Sequence, residues 1–148
     1  MSTEWTMTVD CAHPPTLAAF WRLALGYVDA APPAGFASWD VWFERFGVPP
    51  EERDGLAAIE DPNGVRPRIS FLQVPEAKTV KNRLHLDLQV GGGRAQPWEV
   101  RWPKVLETVE RLTAAGATQQ AVIYDEGPGG KPDHVVMLDP EGNEFCVI

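Results

Sequence analysis

Positive charge is scarce in this sequence of 148 residues, and the scarcity limits its partners. Lys and Arg together number 13, against 21 Asp and Glu, so the formal net charge is −8 at pH 7. An excess of negative charge repels nucleic-acid phosphates and anionic lipid headgroups alike. We therefore expect no nucleic acid and no membrane surface among the partners of this protein.

Cysteine is also rare, and long apolar runs are missing. Two cysteines cannot form the disulfide framework of a small secreted domain. No apolar stretch approaches the roughly 20 residues that cross a bilayer. The first residues lack the basic and apolar segments of a signal peptide. We expect both thiols to be reduced and the protein to be cytoplasmic.

Apolar residues are plentiful enough to build one core. They make up 44% of the chain, and charged residues make up 23%, as in ordinary globular proteins. The length fits a single domain. With 13 Gly and 14 Pro, the chain is expected to contain many turns between short elements.

Two stretches of the chain follow the same order of strand, helix and glycine stop. The first has a β-prone segment at 5–11 and a helix that begins near Pro14 and ends at Gly26. The second alternates strictly from Leu84 to Val90, which places His85, Asp87 and Gln89 on the polar face of a strand. Its helix is expected to begin near Trp102-Pro103 and to end before Gly116.

Each stretch also contains an Asp-Pro-x-Gly turn before a β-prone segment. The turns begin at Asp61 and Asp139, and the segments are 69–74 and 144–148. This ordered recurrence indicates an internal duplication of a β-α-β-β-β unit. The predicted fold is α+β, a single domain of two modules at about 4–76 and 83–148, joined by a linker at about 77–82.

The first module carries an aromatic insertion that the second lacks. After Ser38, which suits a helix N-cap, Trp39, Trp42, Phe43 and Phe46 recur at helical spacing. One interpretation is a helix that fills its own core; the other is an aromatic wall over a ligand cavity. Because the duplicated fold does not require these rings, we predict that Trp39, Trp42 and Phe43 border the cavity.

These motifs resemble those of the glyoxalase/bleomycin-resistance/extradiol-dioxygenase superfamily, the vicinal oxygen chelate proteins, and within it an actinobacterial glyoxalase-like domain subgroup. The strings that carry the resemblance are KNRLHLD at 81–87 and DPEGNEFC at 139–146. The resemblance spans nearly the whole chain. It implies two modules whose mixed sheets curl around one cavity, a small-molecule ligand and a tendency to form homodimers.

The resemblance also implies where a metal would bind. Metal-binding members place His, Gln or Glu on the first and last strands of each module. The matching positions here are His85, Thr6, Cys146 and, on the last strand of the first module, Gln73. One imidazole, one thiol and one amide do not match the oxygen-rich octahedral site of a Ni, Fe or Mn enzyme, whereas a softer ion such as zinc remains an alternative. We expect no cofactor.

Three other groups of residues allow a chemical interpretation. His85-x-Asp87 with His134 imitates the two-histidine, one-carboxylate iron triad, but the short remaining chain and the duplicated modules disfavour it. Cys146 with His85 is a thiol–imidazole pair, or else a buried inert cysteine with a cavity histidine. A run of cations could form a solvated surface or attract an anionic ligand; its members are Arg66, Arg68, Lys78, Lys81 and Arg83.

Three classes of function follow. The first is a bleomycin-resistance-type protein that binds an aromatic or amphipathic compound without a metal, with Trp39, Trp42, Phe43, Gln73, Asp87 and Cys146 as candidate contacts. The second is a lyase, isomerase or dioxygenase of glyoxalase-like type that uses His85 as acid, base or metal ligand. The third is a structural module with a collapsed cavity. The first is the favoured prediction.

Overall fold

The computed structural model describes residues 2–126 and 129–148. The chain divides into two compact units, one that ends at Ala77 and one that begins at Lys78. Each unit contains a four-stranded mixed sheet, which confirms the predicted α+β class. None of the helices in the described ranges is long and apolar enough to cross a membrane.

The N-terminal unit builds its sheet from four short strands. Their order across the sheet is β1-β4-β3-β2, with β1 and β4 parallel and the other pairs antiparallel. Helix α1 covers one face, where Leu17 and Phe20 pack with Ile59 and Phe71 in the core. The elements are β1 (Met7–Cys11), α1 (Pro14–Leu25), β2 (Val28–Asp29), α2 (Trp39–Arg45), a 3₁₀ helix (Pro50–Gly55), β3 (Leu56–Glu60) and β4 (Ile69–Gln73).

The C-terminal unit repeats this topology. Its strands lie in the order β5-β8-β7-β6, in which β5 and β8 are parallel and the other pairs are antiparallel. This matches the arrangement of β1 to β4 and confirms the predicted duplication. Helix α3 packs on the face that carries Val135, Met137, Phe145 and Val147. The elements are β5 (Asp87–Leu88), α3 (Trp98–Ala114), β6 (Thr118–Tyr124), β7 (Pro132–Leu138) and β8 (Glu144–Val147).

The two predicted turns have matching geometry. In each, the carbonyl oxygen of the aspartate accepts the N–H of the glycine three residues later, at 2.9 Å from Asp61 to Gly64 and 2.9 Å from Asp139 to Gly142. The aspartate side chains are buried and accept further backbone N–H groups of the loop. These hydrogen bonds explain why a short acidic side chain begins each turn.

Helix ends follow the expected local signals. Gly26 ends α1 in the left-handed conformation, with φ 69°, and Ser38 Oγ accepts the N–H of Val41 at the start of α2. Helix α3 begins at Trp98, a turn before the predicted Trp102-Pro103, because Pro97 takes the N-cap position. Pro103 therefore lies inside the helix, where it leaves one carbonyl without its amide partner.

The predicted strand from Leu84 to Val90 is wrong in length. Only Asp87 and Leu88 form a regular strand, and Leu84 is 87% exposed instead of packing on the apolar face. The reason is that β5 lies at the sheet edge and pairs with a partner of only four residues. At the first residue of that partner, the N–H of Glu144 donates to the side-chain oxygen of Asn82, and backbone pairing begins only where the N–H of Cys146 donates to the carbonyl oxygen of Leu86.

Candidate functional site

Helix α2 and the 3₁₀ helix border a half-open pocket of about 450 Å³ next to β2 and β3. We call it the aromatic pocket, because the rings of Trp39 and Phe43 form part of its wall. Its volume lies in the range of small-molecule sites. The lining residues are Asp29, Ala30, Trp39, Asp40, Phe43, Pro50, Arg53, Asp54, Leu56, Ala57 and Ala58.

The wall of the aromatic pocket is fixed by specific contacts. The indole N–H of Trp39 donates to the carbonyl oxygen of Ala30 at 2.8 Å, which satisfies its polar atom and orients the ring. Its centroid lies 6.0 Å from that of Phe43, and the Arg53 guanidinium lies 5.5 Å from the Phe43 centroid. A planar wall held in this way loses little conformational freedom when a ligand binds.

The rim of the aromatic pocket is acidic. It carries three carboxylates, from Asp29, Asp40 and Asp54, against the one guanidinium of Arg53. Arg53 and Asp40 approach to 3.4 Å, and Arg22 contacts Asp29 from outside the lining, so two of the three carboxylates are paired with a guanidinium. The pocket therefore favours a neutral or cationic planar ligand over an anionic one.

Trp42 lies outside this lining. Its ring packs against its neighbours on α2, with centroids 5.7 Å from Trp39 and 4.9 Å from Phe46. The helical spacing placed all these rings on one face, but the pocket is reached by Trp39 and Phe43 alone among the three predicted wall residues. Trp42 therefore packs against the two wall residues, Trp39 and Phe43, and does not line the pocket.

A second candidate region lies on the face of the C-terminal sheet opposite α3, which we call the distal face. By the register of β5, β7 and β8, this face carries Asp87, Val136, Leu138, Glu144 and Cys146. The imidazole of His85 joins it, with Nε2 at 3.3 Å from Asp87 Oδ1.

Three of the predicted site residues meet on the distal face. One ligand atom each of His85, Asp87 and Cys146 lies within 4.8 Å of the other two. His85 and Asp87 are exposed, whereas Cys146 is buried at 7% exposure. Of the other predicted donors, Thr6 is exposed ahead of β1, and Gln73 donates to the carbonyl of Ala12 at 3.1 Å; both belong to the N-terminal unit.

The protonation state of Cys146 limits what this cluster can do. Burial, together with the negative charge and hydrogen bond of Asp87, raises the pKa of the Cys146 thiol to about 11. At neutral pH the thiol is therefore protonated and donates to the Asp87 carboxylate. A protonated thiol is neither a nucleophile nor a metal ligand, which argues against a catalytic Cys146–His85 pair.

The same observation tests the fit of a metal. The nitrogen, oxygen and sulfur donors of His85, Asp87 and Cys146 do not suit an oxygen-rich octahedral ion such as Mn²⁺. Zinc accepts such a mixed set, but it would have to displace the proton that Cys146 shares with Asp87. His134, the third member of the iron-triad interpretation, is outside this group and contacts Asp133 instead.

The raised pKa of Cys146 predicts alkaline instability. An unfolded thiol loses its proton near its ordinary value of 9.0, whereas the folded one holds it to about 11, so deprotonation favours unfolding as the pH rises between these values. Two pH units correspond to about 2–3 kcal/mol of unfolding free energy. Urea unfolding at pH 8 to 11 should show this loss in the parent and not in Cys146→Ala; equal slopes in both proteins would contradict it.

Sequence reasoning missed an ion pair beside this cluster. Lys81 Nζ contacts both carboxylate oxygens of Glu144, at 2.5 and 2.6 Å, and the hydrogen bond from Lys81 lowers the pKa of Glu144. The two-residue period of β8 could have placed Glu144 on the same face as Cys146. The pair borders an open groove of about 530 Å³; its lining residues are Lys78, Lys81, Asn82, Gln120, Ala121, Val136, Leu138, Gly142 and Glu144.

Comparisons with known proteins agree with the fold. A protein-family model described as "Glyoxalase-like domain" matches residues 6–148. None of the curated proteins matches the sequence significantly.

Solved structures with the same fold are distant in sequence. A glyoxalase/bleomycin resistance protein/dioxygenase family enzyme from Burkholderia phytofirmans PsJN is 16% identical, with a TM-score of 0.55 over 96% of this chain and 94% of that one. The fosfomycin resistance protein FosX from Listeria monocytogenes is 12% identical, with a TM-score of 0.59 over 99% and 90%. A protein from Bacillus cereus described as a possible glyoxalase is 10% identical, with a TM-score of 0.54 over 99% and 99%.

Proposed function

The chain belongs to the glyoxalase-like domain family, and on that premise we propose that it binds a small aromatic or amphipathic molecule, as a bleomycin-resistance-type protein, without a resident catalytic metal. The observation that carries the proposal is the aromatic pocket, where the Trp39 ring is oriented by its bond to Ala30 and faces a ligand-sized volume. Apolar walls with a few fixed polar groups are typical of ligand sites.

The charge of the ligand follows from the rim. Arg22 and Arg53 pair with Asp29 and Asp40, and the remaining carboxylate, that of Asp54, disfavours an anionic group at the pocket mouth. The proposed ligand is therefore a planar ring system that is neutral or carries a positive charge. The net charge of −8 acts in the same direction, because it attracts cations from a distance.

Two dyes of opposite charge test this function. Thioflavin T is a planar aromatic cation, and 8-anilinonaphthalene-1-sulfonate is an aromatic anion. We expect saturable binding of thioflavin T, quenching of tryptophan fluorescence, and weaker binding of the anion. Non-saturable binding of both dyes, or a preference for the anion, would refute the assignment of the aromatic pocket.

A second candidate function is catalysis at His85, as a lyase, isomerase or dioxygenase. The close approach of His85, Asp87 and Cys146 favours it, because such a cluster offers an acid–base group and three candidate ligands. A metal in this position would supply Lewis acidity to a bound oxygen. The mixed donor set and the protonated thiol make this the weaker candidate.

Elemental analysis distinguishes the two functions. Protein purified without added metal and without a chelator should contain Zn, Ni, Mn and Fe well below one ion per chain. About one equivalent of any of these, lost in the variant His85→Gln but not in the control His13→Gln, would favour the enzyme.

The remaining parts of the proposal rest on the resemblance. The strings at 81–87 and 139–146 support placement in the actinobacterial glyoxalase-like subgroup. The tendency of the superfamily to form homodimers supports a homodimer here. Cys11 and Cys146 are both buried and are not joined in a disulfide, as suits a reducing cytoplasm. Light scattering coupled to gel filtration should give twice the 16.3 kDa mass of one chain.

A further inference from the structure

An ion cluster at the start of β7 is formed by residues that belong neither to the aromatic pocket nor to the group of His85, Asp87 and Cys146. Its centre is Asp133, which is 3% exposed. Arg101 of α3 donates to Asp133 Oδ1 at 2.8 Å and to its backbone oxygen at 2.9 Å. Arg94 contacts Oδ2 at 2.7 Å, and Nδ1 of His134 lies 2.9 Å from the same oxygen.

The protonation state of Asp133 determines the tautomer of His134. Burial acts to raise the pKa of Asp133, but the hydrogen bonds from His134 and Arg101 and the charges of both arginines outweigh it, so the pKa is lowered. The carboxylate is therefore ionised at neutral pH and can only accept hydrogen bonds. It follows that Nδ1 of His134 carries the hydrogen.

Hydrogen on Nδ1 leaves Nε2 as the ring nitrogen that can accept a hydrogen bond from a ligand. Arg94 and Arg101 already place two positive charges around the single negative charge of Asp133. A neutral imidazole with hydrogen on Nδ1 presents the lone pair of Nε2 as an acceptor.

The position of His134 on its strand makes this acceptor reachable. Along β7 the residues alternate, with Asp133 and Val135 buried towards α3 and with His134 and Val136 on the distal face. The His134 side chain is 23% exposed, and in the described part of the chain Nε2 has no hydrogen-bond partner. Val136, two residues along, lines the open groove with Ala121 and Leu138.

We propose that His134, oriented by Asp133, is a binding site on the distal face whose Nε2 accepts a hydrogen bond from a hydroxyl group of an apolar ring ligand. The hydroxyl donates to the lone pair, and the ring packs on the neighbouring apolar side chains of β6 and β7, Ile123 and Val136. Asp133 is a positioning residue, since it fixes the tautomer and does not touch the ligand. The site is independent of the aromatic pocket and of His85.

Nuclear magnetic resonance of the full chain, labelled with ¹⁵N-histidine, tests both halves of the proposal. At pH 8, long-range ¹H–¹⁵N spectra, assigned with His134→Gln, should show His134 with hydrogen on Nδ1. Phenol should then shift the Nε2 resonance saturably, whereas anisole, which has the same ring without the hydroxyl hydrogen, should not. Hydrogen on Nε2, a doubly protonated ring at pH 8, no shift with phenol, or equal shifts with both probes would each overturn it.

A variant checks the role of Asp133. In Asp133→Asn the side-chain amide can donate to Nδ1, so the hydrogen should move to Nε2 and the phenol-induced shift should be lost. The same tautomer and the same phenol response in a folded variant would contradict the positioning role. If the variant does not fold, the spectra of the parent protein decide the proposal by themselves.

Discussion

Arg101→Met is expected to lower the free energy of unfolding by about 3–5 kcal/mol, the usual cost of removing one partner of a buried ion pair. Arg101 is 7% exposed, and both of its terminal nitrogens, Nη1 and Nη2, donate to Asp133. Methionine matches the aliphatic stem of arginine but leaves the buried carboxylate with fewer donors. Urea unfolding followed by circular dichroism measures the difference.

Arg94→Met is the matched control for that variant. Arg94 contacts the other oxygen of the same carboxylate, but its side chain is 59% exposed. Removing such a pair typically costs about 1 kcal/mol or less. A negligible loss in Arg101→Met would show that the cluster around Asp133 does not stabilise the C-terminal unit. Equal losses in the two variants would show that burial does not determine how much each arginine contributes.

Trp39→Leu should weaken the binding of thioflavin T by about tenfold, because the ring that walls the aromatic pocket is lost. Leucine keeps an apolar side chain in place but offers no planar face to a ligand. The variant also loses the hydrogen bond to Ala30, so its unfolding free energy has to be measured beside its affinity. Fluorescence titration at protein concentrations where the variant is folded gives the affinity.

Trp42→Leu separates ligand contact from support of the fold. Trp42 packs against Trp39, Phe43 and Phe46 but lies outside the pocket lining. We expect this variant to lose stability and to keep its affinity for the dye within a small factor. A loss of affinity in Trp42→Leu as large as in Trp39→Leu would mean that the dye binds elsewhere on α2.

The duplicated architecture could be predicted because its signals are local and occur twice. Asp61 and Asp139 each begin a turn whose hydrogen bonds involve residues within five positions, so the sequence pattern and the geometry correspond directly. The same is true of Ser38 at the start of α2 and of Gly26 at the end of α1. At these turns and helix ends, the local hydrogen bonds and backbone angles allow only a few residue types, so the sequence identifies them.

The site residues that sequence analysis missed depend on contacts between distant segments. Arg101 meets Asp133 across 32 positions, and Lys81 meets Glu144 across 63. No periodicity in either segment specifies its partner. Likewise, helical spacing gives one aromatic face for α2, but which ring reaches the pocket depends on how β3 and the 3₁₀ helix pack beside it.

The alternation around His85 shows that an alternating pattern does not determine the length of a strand. It predicted a seven-residue strand, yet pairing depends on the length of the neighbouring strand, and β8 offers only Glu144–Val147. Leu84 therefore remains exposed in spite of its pattern. The placement of His85 near Asp87 and Cys146 follows from the two residues that do pair, Asp87 with Cys146 and Leu88 with Val147.

Titration of chelator-treated protein with thioflavin T tests the central claim most directly. The protein is dialysed against EDTA, its metal content is checked, and the dye is titrated in the absence and presence of added Zn²⁺ or Mn²⁺. A ligand site whose wall is formed by Trp39 and Phe43 requires no ion. We therefore expect saturable binding of one dye per chain, with the same affinity in every sample. Binding that disappears after chelation and returns with one of the ions would contradict it.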